Sequence, residues 1–190
     1  MRKKILIFGS NGLVGSSTKR ILAKTDFEVL ASNRSDTDLF NLDQVINKIK
    51  DSKPDIIVNA AAKVGGILAN NTYRSEFLIE NLKINMNILE ACIPYPDIKI
   101  INLGSSCIYP LNAESPIKES SIMEGKLEQT NSPYAMAKLS AIELGNSLSI
   151  QYGHQIINLM PTNLYGPNDN FDANNSHVIP GLISRMHQAK

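Results

Sequence analysis

Short, nearly continuous apolar runs alternate along the chain with longer stretches in which apolar residues recur at helical spacing. Runs such as "KKILIFG" and "IKIINLG" lack a polar alternation, which is typical of strands buried on both faces. The predicted strands are 3–9, 27–33, 55–60, 98–104 and 155–161, and the predicted helices are 13–24, 41–51, 73–92, 133–152 and 178–189. Strict alternation of strand and helix predicts right-handed crossovers and hence an α/β fold with a doubly wound parallel sheet.

Two polar stretches have no periodicity of either kind. Residues 105–132 are rich in Pro, Ser, Asn and Glu, and residues 165–177 contain "YGPNDNFDANNSH". Long irregular segments in a compact domain are usually functional, so we expect both to be loops that line a site.

Three glycines follow the first predicted strand and open the first predicted helix, in "GSNGLVG". In a dinucleotide-binding turn, one glycine forms the turn, one lets the backbone approach a pyrophosphate, and one allows close helix–strand packing. The pattern predicts a Rossmann-type fold, with an ordinary strand–helix turn as the alternative. The predicted cofactor-binding residues here are Gly9, Ser10, Asn11, Gly12, Leu13, Val14 and Gly15.

The residues after the second predicted strand bear on the choice of cofactor. An acidic residue there would bind the ribose 2′-hydroxyl of NAD, but this chain has "NRS" at 33–35. Arg34 suits a 2′-phosphate and predicts NADPH/NADP+, although it could also be a solvated surface arginine. Asp38 could face the adenine.

Small side chains follow the third predicted strand, in "NAAAKVGG". Ala60, Ala61 and Ala62 would let a flat cofactor lie close to the backbone. Tight packing of a helix on the strand would explain them equally well.

Tyr134 and Lys138 lie four residues apart on a predicted helix and therefore share one face. An ammonium beside a phenol lowers its pKa and lets it exchange a proton near neutral pH. Ser105 supplies a hydroxyl at the carboxyl end of a strand, where ligands of such sheets bind. A tyrosine and a lysine four residues apart are common by chance. In a chain that also has a nucleotide-binding turn and the Ser105 hydroxyl, the pair predicts a proton-transfer site.

The two cysteines lead to different expectations. Cys92 is predicted to belong to the core, whereas Cys107 is either a packing residue or a reactive group beside Ser105. Their spacing predicts neither a zinc site nor a disulfide, and we expect no metal and a reduced, cytoplasmic setting.

Composition excludes several classes of protein. The chain has 190 residues, 43% of them hydrophobic, and a formal net charge of +1 with scattered basic residues. This predicts a globular domain without a nucleic-acid or membrane-binding face. No apolar run approaches the roughly 18 residues of a spanning helix.

The glycine spacing GxxGxxG, together with Ser105, Tyr134 and Lys138, resembles the extended short-chain dehydrogenase/reductase superfamily. Within it the chain closely resembles the GDP-L-fucose synthase family. That resemblance rests on the segments "AAAKVGGI", "LGSSCIYP", "TNSPYAMAKLSAIELG", "MPTNLYGPNDNF" and "NSHVIPGLISR".

The resemblance implies NADPH-dependent 3,5-epimerisation and 4-reduction of GDP-4-keto-6-deoxy-D-mannose to GDP-L-fucose. It implies that Cys107 and His177 are the acid/base pair of the epimerisation. Tyr134 would protonate the C4 oxygen during reduction, with Lys138 tuning it and Ser105 bonding the sugar oxygen. His154 and His187 fit surface helix positions and receive no role.

The resemblance also implies further contacts with the ligands. Pro161 and Asn163 would contact the cofactor. The implied substrate-binding residues are Ser106, Asn163, His177, Val178 and Arg185, with Arg185 as partner of the GDP pyrophosphate.

Two features depart from the family pattern. Asn11 stands in the glycine loop, where some relatives have a basic residue, and members continue for on the order of 100 more residues. We therefore predict an NAD(P)-binding domain at 1–163 and the start of a truncated substrate-binding region at 164–190. The alternatives are another NAD-dependent nucleotide-sugar epimerase or dehydratase, and a non-catalytic dinucleotide-binding protein. We expect a homodimer formed through the helices near 73–92 and 133–152.

Overall fold

A computed structural model describes residues 2–172 and 175–189 and contains one five-stranded parallel sheet. Its strand order is β2-β1-β3-β4-β5. The strands are β1 (Lys4–Phe8), β2 (Glu28–Ser32), β3 (Ile56–Asn59), β4 (Lys99–Leu103) and β5 (Ile156–Leu159). Each lies within a predicted run, and the predicted α/β fold with a parallel sheet is confirmed.

Helices cover both faces of the sheet. They are α1 (Leu13–Leu22), α2 (Leu42–Ser52), α3 (Ile67–Thr72), α4 (Arg74–Cys92), α5 (Ser132–Tyr152) and α6 (Val178–Gln188). The sequence did not predict α3, which is too short to establish a periodic pattern. Among the described residues, no helix is long and apolar enough to cross a membrane.

The apolar runs became strands because both of their faces are covered. On β1, Leu6 and Phe8 are fully buried in the larger core, which includes residues of α2, α4 and α5. The alternate residues Ile5 and Ile7 pack on the opposite face, where Leu22 of α1 contributes. Period-2 alternation is therefore missing from the sequence although the strand is regular.

The two predicted loops differ from each other in their local structure. The segment 105–132 contains two 3₁₀ turns, Ser106–Ile108 and Glu119–Ser121. The predicted loop 165–177 has no helix or strand in its described part, and its residues 173 and 174 lie outside the described residues.

The expectation that His154 occupies a surface helix position is wrong. Helix α5 ends at Tyr152 because Gly153 adopts a left-handed conformation, with φ of 77°. The chain then turns inward and buries His154 to 3% exposure, with the ring of Tyr152 edge-on at 6.4 Å. His187 is exposed on α6, as predicted, and Cys92 is fully buried in the core, as predicted.

Candidate active site

The three glycines between β1 and α1 have three different surroundings. Gly9 has φ of 75°, and a Cβ there would lie 2.7 Å from the backbone nitrogen of Ala61. A Cβ on Gly15 would lie 2.1 Å from the carbonyl oxygen of Gly9. At Gly12 the nearest atom would be 3.5 Å away, which is ordinary contact. The fold thus requires Gly9 and Gly15, whereas Gly12 leaves open space.

That open space faces the start of α1. Gly12 caps the helix without a side-chain hydrogen bond, and the first turn contains no acidic residue. The N–H groups of a first helical turn lack partners within the helix and carry partial positive charge. Ser10 is buried beneath the turn, its N–H donating to the carbonyl of Ser32, and Asn11 is exposed beside it. These features fit a dinucleotide pyrophosphate.

The end of β2 presents one exposed cation. The guanidinium carbon of Arg34 lies 5.7 Å from the centroid of the Phe40 ring. The Asp38 carboxylate accepts a hydrogen bond of 3.0 Å from the N–H of Phe40, so it is engaged in its own turn. Arg34 therefore remains accessible for a phosphate group, as predicted for a cofactor with a 2′-phosphate.

Four of the predicted catalytic residues meet at the carboxyl end of β4. Ser105 caps the 3₁₀ turn that follows the strand, and its hydroxyl accepts a hydrogen bond of 3.4 Å from the N–H of Cys107. The same hydroxyl lies within hydrogen-bonding reach of the Cys107 thiol and of the Tyr134 phenol. Ser106 donates its N–H to the carbonyl of Pro161, which joins the turn to the segment after β5.

Lys138 lies beneath Tyr134, one helical turn further along α5. Its ammonium donates a hydrogen bond of 2.7 Å to the carbonyl of Leu103 and lies 5.7 Å from the Tyr134 ring centroid. The residue is 2% exposed, and burial lowers the pKa of Lys138 to about 8. It is therefore a cation held at the floor of the site.

The expectation that Lys138 lowers the pKa of Tyr134 is wrong for this structure. Burial raises the pKa of the Tyr134 phenol, and the nearby Cys107 raises it further, while the hydrogen bond with Ser105 opposes both. The lysine is committed to the Leu103 carbonyl beneath the ring. Tyr134 is therefore protonated at neutral pH, as a proton donor must be.

Cys107 differs from Cys92 in its surroundings. Burial raises the pKa of the Cys107 thiol, but the Ser105 hydroxyl and the Lys138 charge lower it in part. Burial alone raises the pKa of Cys92 to about 12. Cys107 is partly exposed among polar groups, whereas Cys92 has none of these partners.

The remaining predicted residues lie on the surface, in the segment after β5 and on α6. His177 caps the start of α6 and is exposed, and Val178 after it is 73% exposed. Asn163 is exposed in the segment after β5, and the Arg185 guanidinium bonds the carbonyl of Gly181 in its own helix. Within 2–172 and 175–189, no hydrogen bond or ring contact joins His177 to Cys107.

Two hydrogen bonds, one between side chains and one between backbone groups, connect these surface segments to α1 and to the loop after β3. Asn168 donates its amide to the hydroxyl of Ser16 on α1, at 3.0 Å. The N–H of Gly66 donates to the carbonyl of Asn175, two residues before His177. The predicted ligand-binding segments thus border one region above the carboxyl edge of the sheet.

A ladder of asparagines across three strands was not predicted; Asn59 and Asn102 are buried and Asn158 is half-buried. Asn59, Asn102 and Asn158 lie opposite one another on β3, β4 and β5. The amide of Asn59 donates to Asn102 at 3.0 Å, and that of Asn102 donates to Asn158 at 3.1 Å. Asn59 also accepts the N–H of Ala61. In the sequence, each of three apolar runs contains one asparagine. Only the strand register shows that these three residues lie side by side and can form hydrogen bonds with one another.

Comparison with known proteins agrees with this geometry. The family described as "NAD dependent epimerase/dehydratase family" matches residues 5–190. The chain belongs to this family. All but the first few residues are thus covered by one family whose members share the nucleotide-binding sheet.

Within the epimerase/dehydratase family, the chain is similar to several GDP-L-fucose synthases. The chain is 45% identical to a GDP-L-fucose synthase from Sinorhizobium fredii, over 99% of this chain and 60% of the relative. It is 44% identical to that of Escherichia coli, over 99% of this chain and 59% of the relative. A GDP-L-fucose synthetase structure from Naegleria fowleri bound to NADP is 31% identical, with a TM-score of 0.88 over 98% of this chain and 58% of that one. The chain thus spans about 60% of the length of the curated relatives it matches.

Proposed function

We propose that the protein containing this chain is an NADPH-dependent enzyme that converts GDP-4-keto-6-deoxy-D-mannose to GDP-L-fucose. The observation that carries the proposal is the cluster of Ser105, Cys107, Tyr134 and Lys138 at the end of β4. The identity to curated GDP-L-fucose synthases supports it. The same identity favours this function over another NAD-dependent epimerase or dehydratase and over a non-catalytic binding protein.

Epimerisation needs proton exchange at carbons that flank a ketone. Protons alpha to a carbonyl are acidic enough for a modest base when the enolate oxygen is stabilised. The Ser105 hydroxyl and the Tyr134 phenol would donate hydrogen bonds to that oxygen. Cys107 would exchange the proton at C3 and C5 on one face of the sugar, and His177 would serve the other face.

Reduction uses the same oxygen. The cofactor supplies the hydride to C4 when bound, and Tyr134 gives its proton to the C4 oxygen. Because Tyr134 is protonated at neutral pH, it is in the form needed for this step. Lys138 gives one of its three N–H donors to the Leu103 carbonyl beneath the ring and would offer another to a ribose hydroxyl of the cofactor.

The cofactor and nucleotide would occupy the segments that border the carboxyl edge. Gly12 and the start of α1 would hold the pyrophosphate of NADPH, and Arg34 its 2′-phosphate. Asn163 and Arg185 would contact the GDP-sugar. We infer a boundary near residue 163 between the cofactor domain and the substrate-binding region.

Exposed apolar residues support a homodimer through α4 and α5. Ile79 and Met86 of α4 are 50% and 48% exposed, and Met136 and Ile150 of α5 are 49% and 88% exposed. Two copies packing these helices together would cover them. A cytoplasmic setting stays a prediction based on the cysteine content.

Incubation of the full-length protein with NADPH and GDP-4-keto-6-deoxymannose tests the proposal. Oxidation of NADPH with formation of GDP-L-fucose, identified by chromatography against a standard, is expected. If NADPH is oxidised only with a different nucleotide sugar, the substrate assignment is wrong. If no nucleotide sugar causes oxidation, the catalytic proposal fails.

A further inference from the structure

The catalytic helix α5 begins without a side-chain cap of its own. Asn131 is the capping residue, but its side chain makes no capping hydrogen bond. Tyr134 is the third residue of the helix, within the first turn. Helix ends fray, and first-turn positions depend on whatever satisfies the free N–H groups. The position of the Tyr134 hydroxyl therefore depends on how this turn is held.

Glu128 organises the backbone that leads into the helix. Its carboxylate accepts the N–H of Thr130 at 3.0 Å, the hydroxyl of Thr130 at 2.6 Å and the N–H of Asn131 at 3.1 Å. These bonds, with a smaller contribution from Arg74, lower the pKa of the Glu128 carboxyl. The carboxylate therefore stays ionised at neutral pH, near the positive end of the helix.

Arg74 holds the same segment from the neighbouring helix. It is the first residue of α4, and its guanidinium donates to the carbonyls of Gln129 at 2.9 Å and Thr130 at 3.4 Å. It also donates to the hydroxyl of Ser132 at 3.2 Å. A planar guanidinium with several fixed donors suits such a multiple contact, which a lysine could not reproduce.

A second residue of the same turn of α4 contacts Tyr134 directly. Phe77 lies three residues after Arg74, on the same side of the helix. Its ring meets that of Tyr134 edge-on at 6.4 Å. One turn of α4 thus holds both the backbone before Tyr134, through Arg74, and the ring of Tyr134, through Phe77.

We propose that Arg74 and Glu128 are positioning residues, which fix the first turn of α5 and so hold the Tyr134 hydroxyl beside Ser105. The inference rests on the proposed function, because it assigns their effect to the proton transfer made by Tyr134. It extends that function by two charged residues outside the site itself. Neither residue would touch the substrate or the cofactor.

The main test is Arg74→Met in the full-length protein, assayed by single-turnover reduction. We expect the rate to fall roughly 10- to 100-fold, as for a small misplacement of a catalytic group. The affinity for NADPH should be unchanged. Arg74→Lys should recover little of the loss, because a single ammonium nitrogen cannot occupy the two positions from which Nη1 and Nη2 bond these acceptors. Glu90→Gln, which removes an exposed charge near the other end of the same helix, is the matched control and should keep the parent rate.

A double variant separates positioning from simple stabilisation. Because Arg74 acts through Tyr134, Arg74→Met should cost little more in a Tyr134→Phe background. Losses that multiply in the double variant would overturn the inference, as would a parent-like rate for Arg74→Met. Glu128→Ala should behave like Arg74→Met, whereas Glu128→Gln should recover part of the rate because its amide oxygen still accepts.

A measurement on the chain itself keeps this inference separate from the proposed function. Amide hydrogen exchange over residues 128–136 should quicken in Arg74→Met and Glu128→Ala while exchange elsewhere stays unchanged. Exchange could be faster in these variants while the parent protein is inactive toward every nucleotide sugar. That result would contradict the proposed function but would still support the positioning role of the two residues. Unchanged exchange in this segment would overturn the positioning role even in an active enzyme.

Discussion

At the scale of single residues, the glycines of the turn after β1 differ in whether the fold requires them. Gly15 is required because any side chain would collide with the Gly9 carbonyl, at 2.1 Å. Gly12 has φ of −73° and no close neighbour, so an alanine fits there without strain. A glycine that the fold does not require is explained by a ligand that approaches the backbone.

Gly12→Ala and Gly15→Ala should therefore affect different properties: the first the affinity for NADPH, the second the stability of the fold. Gly12→Ala is expected to keep the parent unfolding free energy while weakening NADPH binding, because its methyl group occupies the pyrophosphate position. Gly15→Ala is expected to destabilise the fold by roughly 1–3 kcal/mol, as overpacking does. Calorimetric titration with NADPH and denaturant unfolding measure the two quantities. Equal NADPH affinity in Gly12→Ala and the parent would contradict this account.

The raised pKa of Cys107 predicts a pH dependence for the epimerisation. Because the thiol form dominates at neutral pH, a base role for Cys107 means that exchange of the C3 and C5 protons speeds up as pH rises toward the thiol pKa. Incorporation of deuterium from heavy water into the nucleotide sugar, in the absence of NADPH, measures this rate. Cys107→Ser should abolish the exchange and leave NADPH affinity unchanged, and a flat profile in the parent would contradict a base role.

Lys138 predicts a pH dependence of stability. Its folded-state pKa of about 8 lies below its ordinary value of 10.5, so the unfolded chain binds more protons between these pH values. Lys138→Met removes this penalty on the charged form but also the donor to the Leu103 carbonyl, so we expect its advantage over the parent at neutral pH to be at most about 3 kcal/mol. The advantage should shrink as pH rises through 8 to 10.5, and urea unfolding across that range measures it. An advantage that does not change with pH would contradict this origin.

At the scale of elements, the sequence predicted every strand because a strand buried on both faces leaves an unmistakable apolar run. It also predicted that Ser105, at the carboxyl end of β4, lies near Tyr134 and Lys138 of α5, whereas their catalytic roles stay predictions. It could not predict α3, whose six residues carry no period, or the burial of His154, which follows from the turn at Gly153. The asparagine ladder needed the strand register, which no local pattern contains.

The ladder should stabilise the sheet through mutual hydrogen bonding. Asn102→Leu leaves the oxygen of Asn158 without its donor and removes one acceptor from Asn59. We expect a loss of roughly 1–3 kcal/mol in unfolding free energy, as for buried polar groups left without partners. Asn47→Leu, at an exposed position on α2, is the control and should change stability little. Similar losses in both variants would show that the ladder is not the cause.

At the scale of the whole molecule, the edge strand β5 and helix α6 both expose apolar residues. Ile157 and Leu159 on β5 are 57% and 47% exposed, and Val178 and Met186 on α6 are 73% and 68% exposed. Exposed apolar patches mark contact with further protein. The chain also spans about 60% of the length of its curated relatives.

The most direct test of the central claim, that one site joins a thiol for epimerisation with a tyrosine for reduction, is a reaction in heavy water. The full-length protein, NADPH and GDP-4-keto-6-deoxymannose should give GDP-L-fucose with deuterium at C3 and C5 and protium at C4 from the cofactor. Nuclear magnetic resonance of the product reads all three positions. A product reduced at C4 but without deuterium at C3 and C5 would contradict the account.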